Sequence, residues 1–112
     1  MAKVLRILRG EIRTPPLSVE ARREAGFLLR QLQEGLTLSL PASRPMPGIE
    51  RGCHELRIKD ESHDWRVVYA IEQDAIVILE IFEKGSRTTP KQVMELCRQR
   101  IRAYRRVARE ET

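Results

Sequence analysis

Alternating apolar and polar positions predict three consecutive strands in the middle of the chain, over residues 55–59, 65–69 and 75–84. The three runs are rich in β-branched, aliphatic and aromatic residues, and short polar turns separate them. Because such short connections join antiparallel neighbours, the three strands are expected to form a meander. A further short strand is predicted from Lys3 to Leu8.

Apolar residues at helical spacing predict two helices that flank the strands. The first runs from about residue 19 to residue 34, and Ser18 is expected to be its N-cap. The second lies near the end of the chain and is preceded by a complete set of helix-start residues. Thr89 is expected to be the N-cap, Pro90 to take the first helical position and Gln92 to complete a capping box.

The order of these elements predicts a single α+β domain over residues 1–112. A small antiparallel sheet, made of the short first strand and the meander, is expected to pack against an N-terminal and a C-terminal helix. Residues 36–52 are predicted to be an ordered connector along the sheet edge, pinned by Leu38, Leu40 and Met46. The last strand is apolar on both faces. One face is expected to carry a helix and the other to remain open as a shallow site.

Cations interrupt this apolar pattern at Arg57 and Arg66, and Lys84 stands at the end of the most apolar run. A charge at such a position costs stability unless it is paired, so a functional role is one explanation. A place on the solvated face of the sheet explains the arginines equally well. Arg100 similarly lies within the apolar side of the last helix, where a structural ion pair or a side chain that reaches the helix flank is favoured over chemistry.

Length and composition indicate which broad class of protein this chain belongs to. A chain of 112 residues with 41% hydrophobic and 33% charged residues is typical of a globular domain. Its longest apolar run is too short to cross a bilayer, no signal peptide is evident, and a cytoplasmic location with no membrane partner is expected. In that reducing compartment Cys53 and Cys97 are predicted to be free thiols. The oligomeric state is not indicated.

Positive charge is concentrated in the last quarter of the chain. Residues 84–112 hold nine Lys and Arg residues against three acids, whereas residues 1–83 hold twelve against thirteen. Such a cationic segment favours a polyanion, most commonly a nucleic acid, although an acidic protein partner is also compatible with it.

Several kinds of chemistry find no motif in the sequence. No metal-ligand spacing, glycine-rich phosphate loop or nucleophile elbow is present, so no metal or cofactor is expected. The remaining cations, histidines, carboxylates and tyrosines are sufficient to cleave RNA, because the substrate's own 2′-hydroxyl is the nucleophile. The same cations would also bind a phosphate backbone without cutting it.

Four short motifs follow one another in the second half of the chain, namely Cys53-His54-Glu55-Leu56-Arg57, Trp65-Arg66-Val67-Val68-Tyr69, Ile81-Phe82-Glu83-Lys84 and Thr88-Thr89-Pro90. In this order they resemble the phage-related, HigB-like branch of the RelE/ParE toxin superfamily, over about Ser43 to Tyr104.

The resemblance implies a RelE-like fold and a type II toxin that pairs with a small helix-turn-helix antitoxin. It also implies a metal-independent endoribonuclease that cuts mRNA on the ribosome. By position, Arg57, Arg66 and Lys84 correspond to catalytic cations. The candidate proton-transfer residues are His54, Glu83 and Tyr104. The surface expected to bind RNA includes Lys59, Arg87, Arg98, Arg102 and Arg105.

One position departs from the family pattern. Gly85 stands where a second lysine is common, although Arg87 can restore the charge. Two alternatives therefore stay open: a ParE-like inhibitor of DNA gyrase, and a catalytically degenerate member that binds protein or nucleic acid.

Overall fold

The computed structural model describes residues 2–61, 63–85 and 89–111. The described chain contains five strands and two helices, which confirms the α+β class and the meander. In chain order the elements are β1 (Val4–Ile7), α1 (Val19–Gln33), β2 (Ser43–Pro45), β3 (Cys53–Asp60), β4 (His63–Ile71), β5 (Ala75–Glu83) and α2 (Lys91–Glu110).

The strands form one sheet in the order β1-β5-β4-β3-β2. Neighbours within β2 to β5 are antiparallel, but β1 pairs parallel with β5, so the sheet is mixed and the expected purely antiparallel arrangement is wrong. Short turns set the direction of the meander strands. About seventy residues separate β1 from β5 along the chain, so no turn fixes their relative direction.

The predicted connector is ordered, but it contributes a strand that the sequence did not indicate. Residues 43–45 form β2 against β3. Met46 is buried as expected, and Ile49 joins it in the core. Leu40, by contrast, is 62% exposed and does not pin the connector.

Helices cover both faces of the sheet. On one face the apolar stripe of α1 packs over side chains such as Leu56, Val67 and Ile78. On the other face Cys97 and Ile101 of α2 pack over Val68, Val77 and Leu79, and the connector adds Met46 and Ile49. The sequence predicted that the second face would remain open as a shallow site. It is not open along its whole length, because the buried stripe of α2 closes most of it.

Ser18 caps α1 as predicted, since its hydroxyl accepts a hydrogen bond from the Ala21 amide at 3.0 Å. The predicted capping box of the second helix is wrong. α2 begins at Lys91, Pro90 takes the N-cap position, and no side chain caps the helix. The hydroxyl of Thr89 is buried and donates instead to the carboxylate of Glu55.

Both cysteines are free and buried, as predicted. Burial raises the pKa of Cys53 to about 11 and that of Cys97 to about 12, so both thiols stay protonated and unreactive near neutral pH. Neither helix in the described part of the chain is both long and apolar enough to span a membrane.

Arg100 of α2 is a structural residue, as favoured from the sequence. Its guanidinium donates to the Leu79 carbonyl at 2.7 Å and to the Glu80 carboxylate at 3.1 Å. These contacts attach α2 to β5 at a β-bulge, where β4 pairs Val68 with Glu80 and Tyr69 with Ile78.

Candidate functional site

Cations from four parts of the sheet converge on the face covered by α2. Alternation along β3 places Glu55 and Arg57 on this face, and the register sets Arg57 directly opposite Arg66 of β4. The bulge in β5 shifts the alternation of its side chains between the two faces of the sheet. Leu79 before the bulge and Phe82 after it therefore both pack on the α2 side, although an odd number of positions separates them. Lys84, two residues further, reaches the same group of charges.

A single carboxylate lies at the centre of this group. Glu55 is fully buried, and its Oε1 atom lies 3.3 Å from Arg44 Nε, 3.5 Å from Arg66 Nε and 4.0 Å from Lys84 Nζ. Its Oε2 atom accepts the hydrogen bond from Thr89. We call Arg44, Arg57, Arg66 and Lys84 the cation cluster. Among the described residues Glu55 is the one buried carboxylate beside these four cations, so positive charge remains in excess.

Arg57 differs from the other three cations because none of the described residues pairs with its guanidinium. Its Nε atom is buried and has no hydrogen-bond acceptor in the described part of the chain; Arg66 Nε also lacks one but lies 3.5 Å from Glu55 Oε1. The neighbouring Arg66 carries a like charge on the adjacent strand. An arrangement of this kind is destabilising unless an anion binds between the two side chains.

The pKa values of two cluster members report the same excess of positive charge. Burial lowers the pKa of Lys84, and Arg66, Arg44 and Arg57 lower it further, while Glu55 opposes them. The pKa of Arg66 is lowered first by burial and then by Arg57 and Arg44, whereas Glu55 and Asp64 oppose the lowering. Only 4% of the Lys84 side chain and 12% of the Arg66 side chain are exposed, so water screens these charges little.

The structure brings together the three cations that were proposed from the sequence as catalytic, but it places the proton-transfer candidates elsewhere. His54 lies on the α1 face, where its ring stacks on Tyr69 at a centroid distance of 5.3 Å, and burial lowers its pKa. Tyr104 lies about 20 Å along α2 from the helix start. It packs against the core between α2 and the sheet.

Glu83 is also directed away from the cluster. It pairs in register with Trp65, whose side chain belongs to the core under α1. Its carboxylate lies 2.5 Å from His63 Nδ1 and is the first cause of the raised pKa of that histidine. Glu83 is therefore engaged in an exposed pair outside the cation cluster.

The residues predicted to bind RNA separate into two groups. Lys59 is exposed on the same face of β3 as Arg57, whereas Arg87 lies outside the described residues. The three arginines of α2 hold the segment between β2 and β3 and the turn between β4 and β5. Their partners are the Ile49 carbonyl for Arg98, Glu50 for Arg102, and Glu72 with the Arg51 carbonyl for Arg105.

Sequence reasoning overlooked three residues of the site, namely Glu55, Arg44 and Thr89. Glu55 was within reach of such reasoning, since a residue two positions from Arg57 on a strand points to the same face. Arg44 joins only because β2 pairs with β3, and Thr89 only because the chain turns over the sheet before α2. Both depend on long-range pairing that local patterns do not contain.

The cluster suits an anionic ligand better than a metal ion. Among the described residues no group of three or more His, Cys, Asp and Glu side chains is placed to hold a metal. Arginines on neighbouring strands present several N–H donors in fixed directions, which matches the oxygens of a phosphate group.

Comparison with known protein families shows what the chain is similar to. Residues 15–102 match the model of a family described as "Phage derived protein Gp49-like (DUF891)". The matched range includes α1, all of β2 to β5 and the first half of α2, and so contains every residue of the cation cluster. A comparison with curated proteins gave no match.

Proposed function

The chain belongs to the Gp49-like family of phage-derived proteins, a RelE/ParE-like toxin family, and from this premise we propose that it is a HigB-like toxin that cleaves mRNA on the ribosome. In this proposal a small helix-turn-helix antitoxin neutralises it, and both act in the cytoplasm, where ribosomes are found.

The observation that carries the proposal is the pair formed by Arg57 and Arg66. The two arginines lie directly opposite each other on β3 and β4, and none of the described carboxylates pairs with Arg57. A phosphate between them would remove the like-charge repulsion and supply the missing acceptor. Both side chains project from paired strands, so their positions are fixed before the substrate arrives.

The chemistry requires three operations on the substrate. The 2′-hydroxyl must be aligned with the adjacent phosphorus, charge must be stabilised on the pentacovalent transition state, and protons must leave the nucleophile and reach the 5′-oxygen. Arg57 and Arg66 stabilise the non-bridging oxygens, on which negative charge grows. Lys84 is the cluster member best suited to proton transfer, because burial and the neighbouring arginines lower the pKa of its amine.

Induced expression of the wild-type chain in bacteria, with mapping of transcript 5′ ends, tests the proposal. We expect growth arrest together with new 5′ ends inside translated regions. Arg66→Ala should abolish both, because it removes a transition-state contact worth roughly 100-fold or more in rate. Circular dichroism should show that the variant remains folded. The matched control is Arg23→Ala on the exposed side of α1, which should arrest growth like the wild type.

The outcomes distinguish the rival activities. Growth arrest with intact mRNA and DNA damage signalling would overturn RNA cleavage in favour of gyrase inhibition. Absence of any growth effect from the wild type would indicate a degenerate member. Full toxicity of the Arg66→Ala variant would remove the cation cluster from the site.

A further inference from the structure

We infer that Glu55 is a positioning residue, whose buried carboxylate holds Arg66 and Lys84 in the arrangement that receives the scissile phosphate while leaving Arg57 free to contact it. The inference rests on the proposed function and extends it to a residue that does not touch the substrate.

The contacts of Glu55 link five parts of the fold. The carboxylate belongs to β3, and its partners come from β2 (Arg44), from β4 (Arg66), from the residue after β5 (Lys84) and from the residue pair before α2 (Thr89). Its side chain is 0% exposed, so the substrate does not reach it. Glu55 therefore acts on the reaction only through the groups that it holds.

The two oxygens of the carboxylate have different partners. Oε1 lies within 4.0 Å of all three cationic nitrogens, whereas Oε2 accepts the Thr89 hydroxyl. Thr89 thereby fixes the rotation of the carboxylate group, which keeps Oε1 directed at the cations. This use of Thr89 explains why α2 begins without a side-chain cap.

Fold stability alone does not account for a carboxylate at this position. Replacing a buried ion pair by apolar residues of similar volume is often neutral or stabilising, so a purely structural site of this size would not need charges. Glu55 also offsets only part of the positive charge around it. A single carboxylate holds Arg44, Arg66 and Lys84 together, and the positive charge that it does not offset attracts a phosphate.

Glu55 also influences the protonation of Lys84. The charged groups that face Lys84 are Glu55 and Arg57 of β3, Arg66 of β4 and Arg44 of β2, and Glu55 is the one that favours the protonated amine. Without the carboxylate, the amine loses its proton at a lower pH. An activity that needs protonated Lys84 would then decline at a lower pH than in the wild type.

The deciding experiment measures cleavage of mRNA on programmed ribosomes as a function of pH for the wild type and Glu55→Gln. We expect kcat of the variant to fall about 100-fold, since loosened cations misplace the phosphate. KM should remain equal or decrease, because the variant carries one more net positive charge. The alkaline limb of its pH profile should move to lower pH. Glu80→Gln, which removes the acid paired with Arg100 on the same sheet, should stay within about twofold of the wild type.

A second measurement is made on the free protein and needs no substrate. NMR titration of the Lys84 side chain should show a lower pKa in Glu55→Gln than in the wild type, and an unchanged one in Glu80→Gln. If Glu55→Gln fails to fold, Glu55→Asp replaces it. That variant keeps the charge but withdraws the carboxylate by one methylene, and it should lower kcat while the pH profile stays in place.

The two hypotheses fail in different ways. A wild-type protein that does not cleave mRNA would remove the proposed function, and the titration of Lys84 would still judge the positioning role. A folded Glu55→Gln protein with the wild-type Lys84 titration would overturn the role of Glu55. So would a Glu55→Gln protein whose loss of kcat matches its loss of folded protein, because that pattern reports structural damage alone.

Discussion

Arg57 shows most clearly how stability and function diverge at single residues of this protein. It shares a face with Arg66, its Nε atom is buried, and no described group accepts a hydrogen bond from it. Like charges directly opposite each other on neighbouring strands destabilise a sheet. A residue that weakens the fold at its own position is best explained by the anion that it binds.

Replacing Arg57 by Gln should therefore separate the two properties. The variant keeps much of the aliphatic stem and loses the charge, so its free energy of unfolding should stay within about 0.5 kcal/mol of the wild type or rise. Its mRNA cleavage should fall about 100-fold, because one donor to the transition state is lost. Urea denaturation and the ribosome-programmed cleavage assay measure the two effects. Arg23→Gln on α1 is the matched control and should change neither property.

The opposite result would be equally informative. A loss of more than about 1 kcal/mol in Arg57→Gln would show that the guanidinium stabilises the fold. Such a loss would mean that an internal partner satisfies Arg57, and the argument for a bound phosphate between Arg57 and Arg66 would then fail.

At the residue scale the sequence predicted the cations of the site better than their organisation. Arg57 and Arg66 were identified because each interrupts an apolar run, and Lys84 because it ends the most apolar one. Glu55 was not, because a carboxylate in an alternating strand has the pattern of a solvent-facing residue. The structure buries it completely. Only the pairing of four strands reveals that three cations surround the carboxylate.

At the scale of elements, prediction succeeded where the signal was local. The apolar stripe of α1 and its cap at Ser18 lie within a few residues of one another, and both are confirmed. The start of α2 was predicted wrongly although its signal was also local. There a buried carboxylate 34 residues away in strand β3, rather than the helix backbone, takes the Thr89 hydroxyl. The parallel pairing of β1 with β5 and the formation of β2 are likewise long-range.

The Ser18 cap allows a direct test of how much one local hydrogen bond stabilises the fold. Ser18→Ala removes the acceptor for the Ala21 amide and should lower the free energy of unfolding by about 1 kcal/mol. Thermal or urea denaturation measures the loss, and Ser39→Ala at an exposed position of the connector is the control. An effect below about 0.3 kcal/mol would show that another group satisfies the amide in the variant.

At the scale of the whole molecule, the distribution of paired charges matters more than the total. The net charge is +5, and most of the excess lies in the last quarter of the chain. Yet Arg98, Arg102 and Arg105 of α2 are tied to carbonyls and acids of the loops beside the helix. Their charge is partly neutralised. At the other end of α2 the cation cluster holds more positive charge than the buried carboxylate of Glu55 offsets.

Salt dependence of RNA binding distinguishes the cluster from the basic helix. Affinity for a short single-stranded RNA falls with salt by a logarithmic slope of about 0.7 for each phosphate contact. Arg57→Gln and Arg102→Gln each lower the net charge by one, so any difference between them reflects contacts and not the general field. We expect the slope to decrease by about 0.7 in Arg57→Gln and to change by less than half of that in Arg102→Gln, whose guanidinium is bound to Glu50. Fluorescence anisotropy from about 50 to about 200 mM salt measures both slopes. Equal decreases in the two variants would return the α2 arginines to the RNA-binding surface. An arginine that contacts only Glu50 displaces no counterions from the RNA, so its replacement would leave the slope unchanged.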